Sequence, residues 1–251
     1  MSSAPVCVLV GHGPGLGAAL ALRFAQGGCH VAIIGRRADS VAEAAEKLRA
    51  AGLEASGVAA DAADPPSMTE AFASIRRRCG STEILIYNAA MIEPARFVTA
   101  SGSPEIRYAP TAQWRSRGAP ADFAYLLDAF KINVAGALHA VQQALPDMRR
   151  LGRGTILLTG GILAFDPWLE WGVTALGKAA LRSLGLSLAK ELTPERIHVV
   201  TVAIHGTMQP GTPYDPALVA EAYWQLHRQD PEAWQPEFHY KPDVPASAAR
   251  S

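Results

Sequence analysis

A run of closely spaced glycines lies directly after the first apolar stretch of the chain. Val6–Val10 is entirely apolar, and Gly11, Gly13, Gly15 and Gly17 follow it before an apolar pattern of helical spacing begins. Because glycine has no Cβ atom, such a turn can adopt positive φ values and let its backbone approach a ligand closely. The free N–H groups and the positive dipole end of the following helix suit a pyrophosphate. This strand–turn–helix pattern predicts a dinucleotide-binding site, although a plain strand-to-helix connection would show the same glycines.

Two arginines follow the second apolar run. In dinucleotide-binding folds an acidic residue at this point binds the ribose 2′-hydroxyl of NAD. Here Gly35 occupies that position, and Arg36 and Arg37 come next. Guanidinium groups bind phosphate in a bidentate manner, so the pair favours the 2′-phosphate of NADP(H), with NAD(H) still possible. Two solvent-exposed arginines before a helix are the alternative interpretation. His12, inside the glycine turn, is either a further contact to a bound anion or an exposed loop residue.

Strands and helices alternate along the chain and must position these residues. Apolar runs predict strands at 6–10, 31–34, 55–59, 84–87, 155–159 and 198–204. Helical spacing predicts helices between them, including long ones at 122–150 and 173–191, and a tail from about 207 with a helix at 215–228 and a strand at 237–240. The second helix is expected to open with a capping box of Ser40 and Glu43. The alternation predicts an α/β fold, a Rossmann-type doubly wound parallel sheet flanked by helices, in a single domain over 1–251.

Composition narrows the class of protein. The chain has 251 residues, of which 49% are hydrophobic, and 23 basic residues balance 23 acidic ones. This balance gives no electrostatic reason to expect nucleic acid or an anionic membrane as a partner. The sequence shows no signal peptide and no apolar run near the roughly 20 residues of a membrane span, so a cytoplasmic location is expected. Cys7, Cys29 and Cys79 are too scattered for a zinc motif, and no metal is expected; Cys7 and Cys29 are predicted to be buried thiols.

Five stretches together resemble the short-chain dehydrogenase/reductase family over almost the whole chain. They are the glycine turn from Val10 to Gly17, Asp61 near the adenine position, Asn88-Ala89-Ala90 after the fourth strand, Asn133 in KINVAG and Lys178 in LGKAAL. The resemblance implies a nicotinamide cofactor, a small-molecule carbonyl or alcohol substrate and a homodimer or homotetramer. The implied cofactor-binding residues are Gly11, Gly13, Gly15, Leu16, Gly17, Arg36, Arg37, Asp61, Asn88, Ala89 and Lys178.

The sequence departs from the family where catalytic groups are expected. Thr174 replaces the tyrosine of YxxxK, and Gly161 aligns with the catalytic serine. The Pro-Gly pair after the sixth strand falls on His205 and Gly206. Losing a positioned general acid typically lowers the rate by about 10²–10⁴-fold.

The retained catalytic set is therefore Asn133 and Lys178, with Thr174 in the tyrosine position. A water bonded to these three residues could relay a proton in place of the phenol. The alternative is a site that binds cofactor and does little chemistry. Three interpretations stay open: an oxidoreductase with a non-standard proton path, a silent nucleotide-binding sensor or scaffold, and a non-redox enzyme that reuses the pocket.

Two loops bear on the substrate. The loop after the fifth strand is expected to bring Phe165, Trp168 and Trp171 to the mouth of the site, which favours an apolar or aromatic ligand. Asp166 and Glu170 are the carboxylates of that loop, and either is a candidate substitute acid.

An insertion at about 99–120, which contains Tyr108 and Trp114, is either a lid, a partner-binding arm or a surface loop. For the oligomer, the resemblance implies an interface made by the helices at 122–150 and 173–192. The second of these is expected to offer a face with Ala180, Leu184 and Ser187 to a second copy.

Overall fold

The computed structural model describes residues 4–100 and 118–242. Within them the backbone forms one seven-stranded, all-parallel sheet with strand order β3-β2-β1-β4-β5-β6-β7. The strands are β1 Val6–Val10, β2 His30–Gly35, β3 Ala55–Ala59, β4 Thr82–Tyr87, β5 Gly154–Thr159, β6 Ile197–Ile204 and β7 Glu237–Tyr240. The predicted Rossmann-type parallel sheet is therefore confirmed.

Helices cover both faces of the sheet. They are α1 Leu16–Gln26, α2 Ala38–Ala50, α3 Pro65–Cys79, α4 Phe123–Phe130, α5 Gly136–Leu151, α6 Gly172–Leu192 and α7 Pro216–His227. Side chains of α1, α2 and α7 pack into one apolar core, and those of α3, α5 and α6 pack into the other. The chain is thus doubly wound, and Cys7 and Cys29 are buried within the first core as predicted.

The central strand brings the functional loops together. β1 lies between β2 and β4, and its last residue, Val10, pairs with Ile34 on one side and Tyr87 on the other. Because all strands are parallel, the turns after β1, β2, β4, β5 and β6 leave the sheet at one edge. Ligands of open α/β sheets bind in the crevice at this carboxyl edge, where the strand order reverses.

The predicted capping box of Ser40 and Glu43 is wrong. α2 begins at Ala38, with Arg37 in an extended conformation at the N-cap, so Ser40 already lies inside the helix. Only two residues separate β2 from α2, and the chain enters the helix before Ser40 is reached. Glu43 instead forms an ion pair with Lys47 one turn along, at 2.7 Å.

The long helix predicted at 122–150 contains a change of helical pitch. Asp122 caps its start by accepting a hydrogen bond from the N–H of Tyr125 at 2.7 Å. Between α4 and α5, Lys131–Ala135 forms a π-helical turn that contains Asn133. Such turns occur frequently at functional sites. Here the hydroxyl of Tyr87, at the end of β4, donates to the carbonyl oxygen of Ile132 at 2.5 Å and ties the turn to the sheet.

No helix among the described residues is long and apolar enough to cross a membrane.

Candidate functional site

The first glycine of the turn allows the backbone of two loops to touch. Gly11 has φ +94°, and a Cβ atom there would lie 2.3 Å from the backbone nitrogen of Ala89. The side-chain amide of Asn88 donates to the carbonyl oxygen of Gly11 at 2.9 Å, and the N–H of Asn88 donates to Val10 at 2.8 Å. Gly17 packs against the same turn, since a Cβ there would lie 3.0 Å from the carbonyl oxygen of Gly11. Gly11, Gly17, Asn88 and Ala89 therefore hold the turn against the end of β4.

The other two glycines of the turn face open space. A Cβ atom at Gly13 or Gly15 would meet no protein atom within 4 Å. Gly15 is the N-cap of α1, no side chain caps that helix and its first turn holds no acidic residue. An uncapped helix N-terminus with backbone open in front of it is the geometry that binds a phosphate anion. The turn thus fits a pyrophosphate.

Two adjoining cavities extend from this turn along the carboxyl edge of the sheet. The β2-side cavity, about 620 Å³, lies over β1, β2 and β4, and the β5-side cavity, about 450 Å³, lies over β5 and the start of α6. Gly13, Asn88 and Ile92 line both cavities. An elongated ligand with the pyrophosphate at its middle would have one end in each cavity.

The β2-side cavity contains most of the residues predicted to bind the adenosine half of a cofactor. Gly35, Arg36, Asp61 and Ala89 line it, whereas Arg37 does not; both arginines are exposed. Of the two arginines predicted to bind the 2′-phosphate, Arg36 is therefore the one in the cavity wall. His12 also lines this cavity, and burial together with the nearby charge of Lys47 lowers its pKa.

The β5-side cavity contains the lysine and the threonine of the altered YxxxK motif. Thr174 and Lys178 are one turn apart on α6, both are buried, and both line the cavity. The Nζ atom of Lys178 donates a hydrogen bond to the carbonyl oxygen of Thr159 at 2.6 Å. Burial lowers the pKa of Lys178 from 10.5 to about 8, because the low-dielectric surroundings disfavour the charged form.

Asn133 does not line the β5-side cavity with Lys178 and Thr174. Its side chain is paired with the backbone of Met91: Oδ1 accepts from the N–H at 2.7 Å, and Nδ2 donates to the carbonyl oxygen at 3.2 Å. Asn133 lines neither cavity. This amide fixes the loop after β4, and of the three residues expected to bond a relay water, Lys178 and Thr174 are the two that line the β5-side cavity.

The missing serine leaves room that a serine could fill. Gly161 has an extended backbone with φ 173°, and a Cβ atom there would meet only the carbonyl oxygen of Ile204, at 3.8 Å. The neighbouring Gly160 is tighter, with a Cβ position 3.0 Å from the carbonyl oxygen of Val202. Both glycines line the β5-side cavity.

Two of the three aromatic residues predicted at the mouth of the site are there. Trp168 and Trp171 line the β5-side cavity, but Phe165 does not. The ring of Phe165 lies 5.0 Å from that of His239 and 4.6 Å from the guanidinium carbon of Arg182. The expectation for Phe165 is wrong because a cation and a second ring on neighbouring elements hold it outside the cavity.

Neither carboxylate proposed as a substitute acid lines the β5-side cavity. Asp166 is exposed. Glu170 is buried and forms an ion pair with Arg96, and its carbonyl oxygen accepts from the N–H of Ala95 at 2.6 Å. The pair fastens the loop after β4 to the loop before α6 and has a structural role. Of the insertion at about 99–120, residues 101–117, with Tyr108 and Trp114, lie outside the described residues.

Sequence reasoning missed a contact from the C-terminal tail. Tyr223, on α7, is fully buried, and its hydroxyl donates to Oγ1 of Thr159 at 3.0 Å. Thr159 lines the β5-side cavity, and its carbonyl oxygen accepts from Lys178. The tail thus supports the residue that orients Lys178. No local pattern signals this contact, because the two residues are 64 positions apart.

The fold and the glycine turn define a Rossmann-type α/β protein. Residues 5–213 match the short chain dehydrogenase family, and the chain belongs to it.

Similar proteins agree with that assignment. The chain is 29% identical over 194 residues to the human mitochondrial dehydrogenase/reductase SDR family member 2, covering 77% of this chain and 62% of that protein. It is 31% identical over 202 residues to an uncharacterized oxidoreductase of Mycobacterium tuberculosis, covering 79% of this chain and 67% of that one. A metagenomic short-chain oxidoreductase solved in complex with NADP has the same fold, with a TM-score of 0.80 at 19% identity, over 97% of this chain and 99% of that one. The chain thus spans less than two thirds of the length of the human relative.

Proposed function

We propose that this protein is an NADP(H)-dependent oxidoreductase that acts on an uncharged carbonyl or alcohol substrate without the family's usual tyrosine. The observation that carries the proposal is that the two cavities adjoin at the glycine turn, with Gly13 in both walls and Lys178 in the wall of the second. The NADP bound to the metagenomic structural neighbour supports the choice of cofactor.

Each cavity would hold one half of the cofactor. Gly13, Gly15 and Leu16 would face the pyrophosphate at the N-terminus of α1, and Arg36 would bind the 2′-phosphate. Asp61, which lines the same cavity as Arg36, would lie near the adenine. The nicotinamide half supplies hydride transfer when it is bound in the β5-side cavity.

Side chains of the protein would then supply the proton that the substrate oxygen takes up. Lys178 and Thr174 are the cavity residues with an exchangeable side-chain proton on α6, and a water bonded to both could pass one to a substrate oxygen. Because the pKa of Lys178 is about 8, its ammonium form is available at neutral pH and declines as the pH rises through 8. Reduction should therefore slow in the same range.

The walls favour an uncharged substrate with an apolar body. Ile92, Leu163, Trp168, Trp171 and Met208 line the β5-side cavity, and no carboxylate is among its described lining residues. Apolar walls with a few polar groups are typical of sites for small organic ligands.

The test is to measure NADPH binding by calorimetry and then single-turnover oxidation of NADPH with a panel of aromatic aldehydes and ketones. Saturable binding with substrate-dependent oxidation is expected, and Lys178→Met should slow the oxidation more than Thr174→Val. Tight binding without oxidation of NADPH by any member of the panel would favour the silent sensor or scaffold. Absence of NADPH binding would contradict the proposal and leave the non-redox enzyme or a purely structural role.

We also propose a homodimer or homotetramer built on α4, α5 and α6. Leu127 and Phe130 on α4, Leu138 on α5 and Leu176 on α6 are large apolar side chains between 38% and 44% exposed, and Phe123 is 78% exposed. Leu176 extends the face predicted from Ala180, Leu184 and Ser187. Large apolar side chains exposed on neighbouring helices support an interface with a second copy.

Sedimentation tests the interface with a matched pair of variants. Leu176→Glu should shift the protein toward monomer, because a buried carboxylate without a partner is costly in an interface. Leu218→Glu, at a 54% exposed position on α7, is the control and should keep the parent's oligomeric state. A parent protein that is monomeric at micromolar concentration would contradict the proposal. The cytoplasmic location stays a prediction.

A further inference from the structure

The amine of Lys178 is placed as a nucleophile as well as a cofactor contact. The residue is 8% exposed, and Nζ has one hydrogen-bond acceptor among the described residues, the carbonyl oxygen of Thr159. Around it the β5-side cavity is walled by Leu16, Ile92, Leu163, Trp168, Trp171, Ile204 and Met208. A lysine in a desolvated apolar pocket is the arrangement that activates an amine for attack on a carbonyl carbon.

Within residues 4–100 and 118–242, no carboxylate forms an ion pair with Lys178. Glu170, the buried carboxylate at the start of α6, is paired with Arg96. The lowered pKa of Lys178 has burial as its cause, with no opposing charge to restore it. An appreciable share of this amine is therefore neutral near pH 8, and only the neutral amine attacks carbonyl groups.

We propose that Lys178 forms a reversible imine with small, uncharged, apolar or aromatic aldehydes that enter the β5-side cavity. Nζ adds to the carbonyl carbon, the carbonyl π bond breaks, and the proton lost from nitrogen goes to the oxygen to give a carbinolamine. The C–O bond then breaks with loss of water and a C=N bond forms. The sum is amine plus aldehyde giving imine plus water, with no oxidant or reductant.

The cavity selects the aldehyde by charge and shape. At about 450 Å³ it has room for an aromatic aldehyde beside Trp168 and Trp171. A cationic group on the ring would lose its hydration against these apolar walls without a carboxylate to pair with. The nicotinamide half of a cofactor would lie against Lys178 and leave the rest of the cavity to the substrate of the proposed function, so imine formation belongs to the protein without bound cofactor.

Reductive trapping tests the proposal directly. The full-length protein is treated with benzaldehyde and sodium cyanoborohydride at pH 7.5, and benzylated lysines are located by peptide mass spectrometry. Lys178 should be labelled about tenfold or more faster than Lys47 and Lys131, which are exposed and ion-paired with Glu43 and Asp128. Labelling of Lys178 no faster than these internal controls would overturn the proposal, without needing any variant to fold.

Two further arms sharpen the result. 4-(Trimethylammonio)benzaldehyde has the same reactive group with a cation, and it should label Lys178 about tenfold more slowly than benzaldehyde does, relative to Lys47. Equal relative labelling would contradict the selection by the apolar cavity. In Lys178→Arg, which retains a cation but forms no imine under these conditions, the preferential label should disappear.

Saturating NADPH separates this proposal from the proposed function. Protection of Lys178 by NADPH supports both. Rapid labelling of Lys178 that NADPH does not slow upholds the imine and counts against the cofactor site, whereas NADPH binding with slow labelling upholds the cofactor site and contradicts the imine.

Discussion

The two cavities differ in what holds them together. The β2-side cavity keeps Gly11, Asp61, Asn88 and Ala89 of the family pattern, and it depends on the close approach of Gly11 to Ala89. The β5-side cavity keeps Lys178 of the family pattern but has Thr174 and Gly161 in place of the tyrosine and the serine. Phosphate binding by N–H groups requires a turn conformation, whereas proton transfer requires particular side chains. A chain can therefore keep the first cavity while the chemistry of the second changes.

The largest expected effect is on the glycine turn. Gly15→Val should weaken NADPH binding by at least about 100-fold, because its side chain would occupy the open space in front of α1. A Cβ atom there touches no protein atom within 4 Å, so the loss of thermal stability should be smaller than that of Gly11→Ala. Calorimetry and thermal denaturation measure the two quantities. Unchanged affinity would show that the turn only connects β1 to α1.

Gly11→Ala is the matched contrast to Gly15→Val. Its Cβ atom would lie 2.3 Å from the backbone of Ala89 in a residue with φ +94°, so it should lower the melting temperature as well as the affinity. A Gly11→Ala protein as stable as the parent would contradict the packing role given to this glycine.

The next largest effect should come from restoring the family's side chains in the β5-side cavity. The double variant Thr174→Tyr, Gly161→Ser should raise NADPH-dependent reduction of reactive ketones by about 10²-fold, because a phenol beside Lys178 supplies a general acid. The Cβ position at Gly161 has space for the serine. Adding Lys178→Ala should remove the gain. If the folded double variant binds NADPH but reduces ketones no faster than the parent, the β5-side cavity differs from the family by more than the missing general acid. His205 and the loop around Trp168 are then the residues to test.

A smaller effect separates the two arginines of the β2-side region. Arg36→Ala should weaken NADPH binding about tenfold and leave NADH binding nearly unchanged, since Arg36 lines the cavity. Arg37→Ala, on the adjacent exposed residue, is the control and should change neither affinity by more than about twofold. Equal losses for both variants would show that the pair acts together, and no loss for either would favour solvent-exposed arginines.

The smallest effect concerns the buried charge of the β5-side cavity. Below its folded-state pKa of about 8, Lys178 is protonated in both the folded and the unfolded chain, and the folded state bears the full cost of the buried charge. Between about 8 and 10.5 the folded chain releases a proton that the unfolded chain keeps, so this cost falls as the pH rises. The free energy of unfolding of the parent, relative to Lys178→Met, should rise by about 1 kcal/mol between pH 7.5 and 9. Urea denaturation at both pH values checks this, and a constant difference would contradict it.

The order of the elements could be predicted because it depends on local patterns. Apolar runs such as Val6–Val10 and the helical spacing after Gly15 are visible in the sequence, and the parallel alternation leaves few topologies. Helix starts were less predictable: Ser40 and Glu43 form a good capping pattern, but the short connection from β2 begins the helix at Ala38. At this helix, the short connection from β2 determines the N-cap, and the local capping pattern does not.

The residues of the candidate site were harder to predict from the sequence than the order of the elements. Which residues reach a cavity depends on contacts between distant segments, such as Arg96 with Glu170, Phe165 with His239, and Tyr223 with Thr159. The first two contacts hold Glu170 and Phe165 outside the lining of the β5-side cavity. The third supports Thr159, whose carbonyl oxygen accepts a hydrogen bond from Lys178. Asn133 illustrates the same point, since its amide is used by Met91.

The strand order also has a consequence for how the protein is made. β1 to β4 complete the block β3-β2-β1-β4, and β5, β6 and β7 then join one after another at a single edge. As the chain emerges from the ribosome, each new strand after β4 finds its partner already in place. An unfinished chain therefore presents one growing edge to other nascent chains, and such edges favour aggregation. All lining residues of the β2-side cavity except Ile132 lie at or before Glu93 in the sequence. The β5-side cavity is complete only when the chain has been made as far as Met208. A chain that ends after β4 would thus hold nearly all residues of the β2-side cavity while its β4 edge is still unpaired.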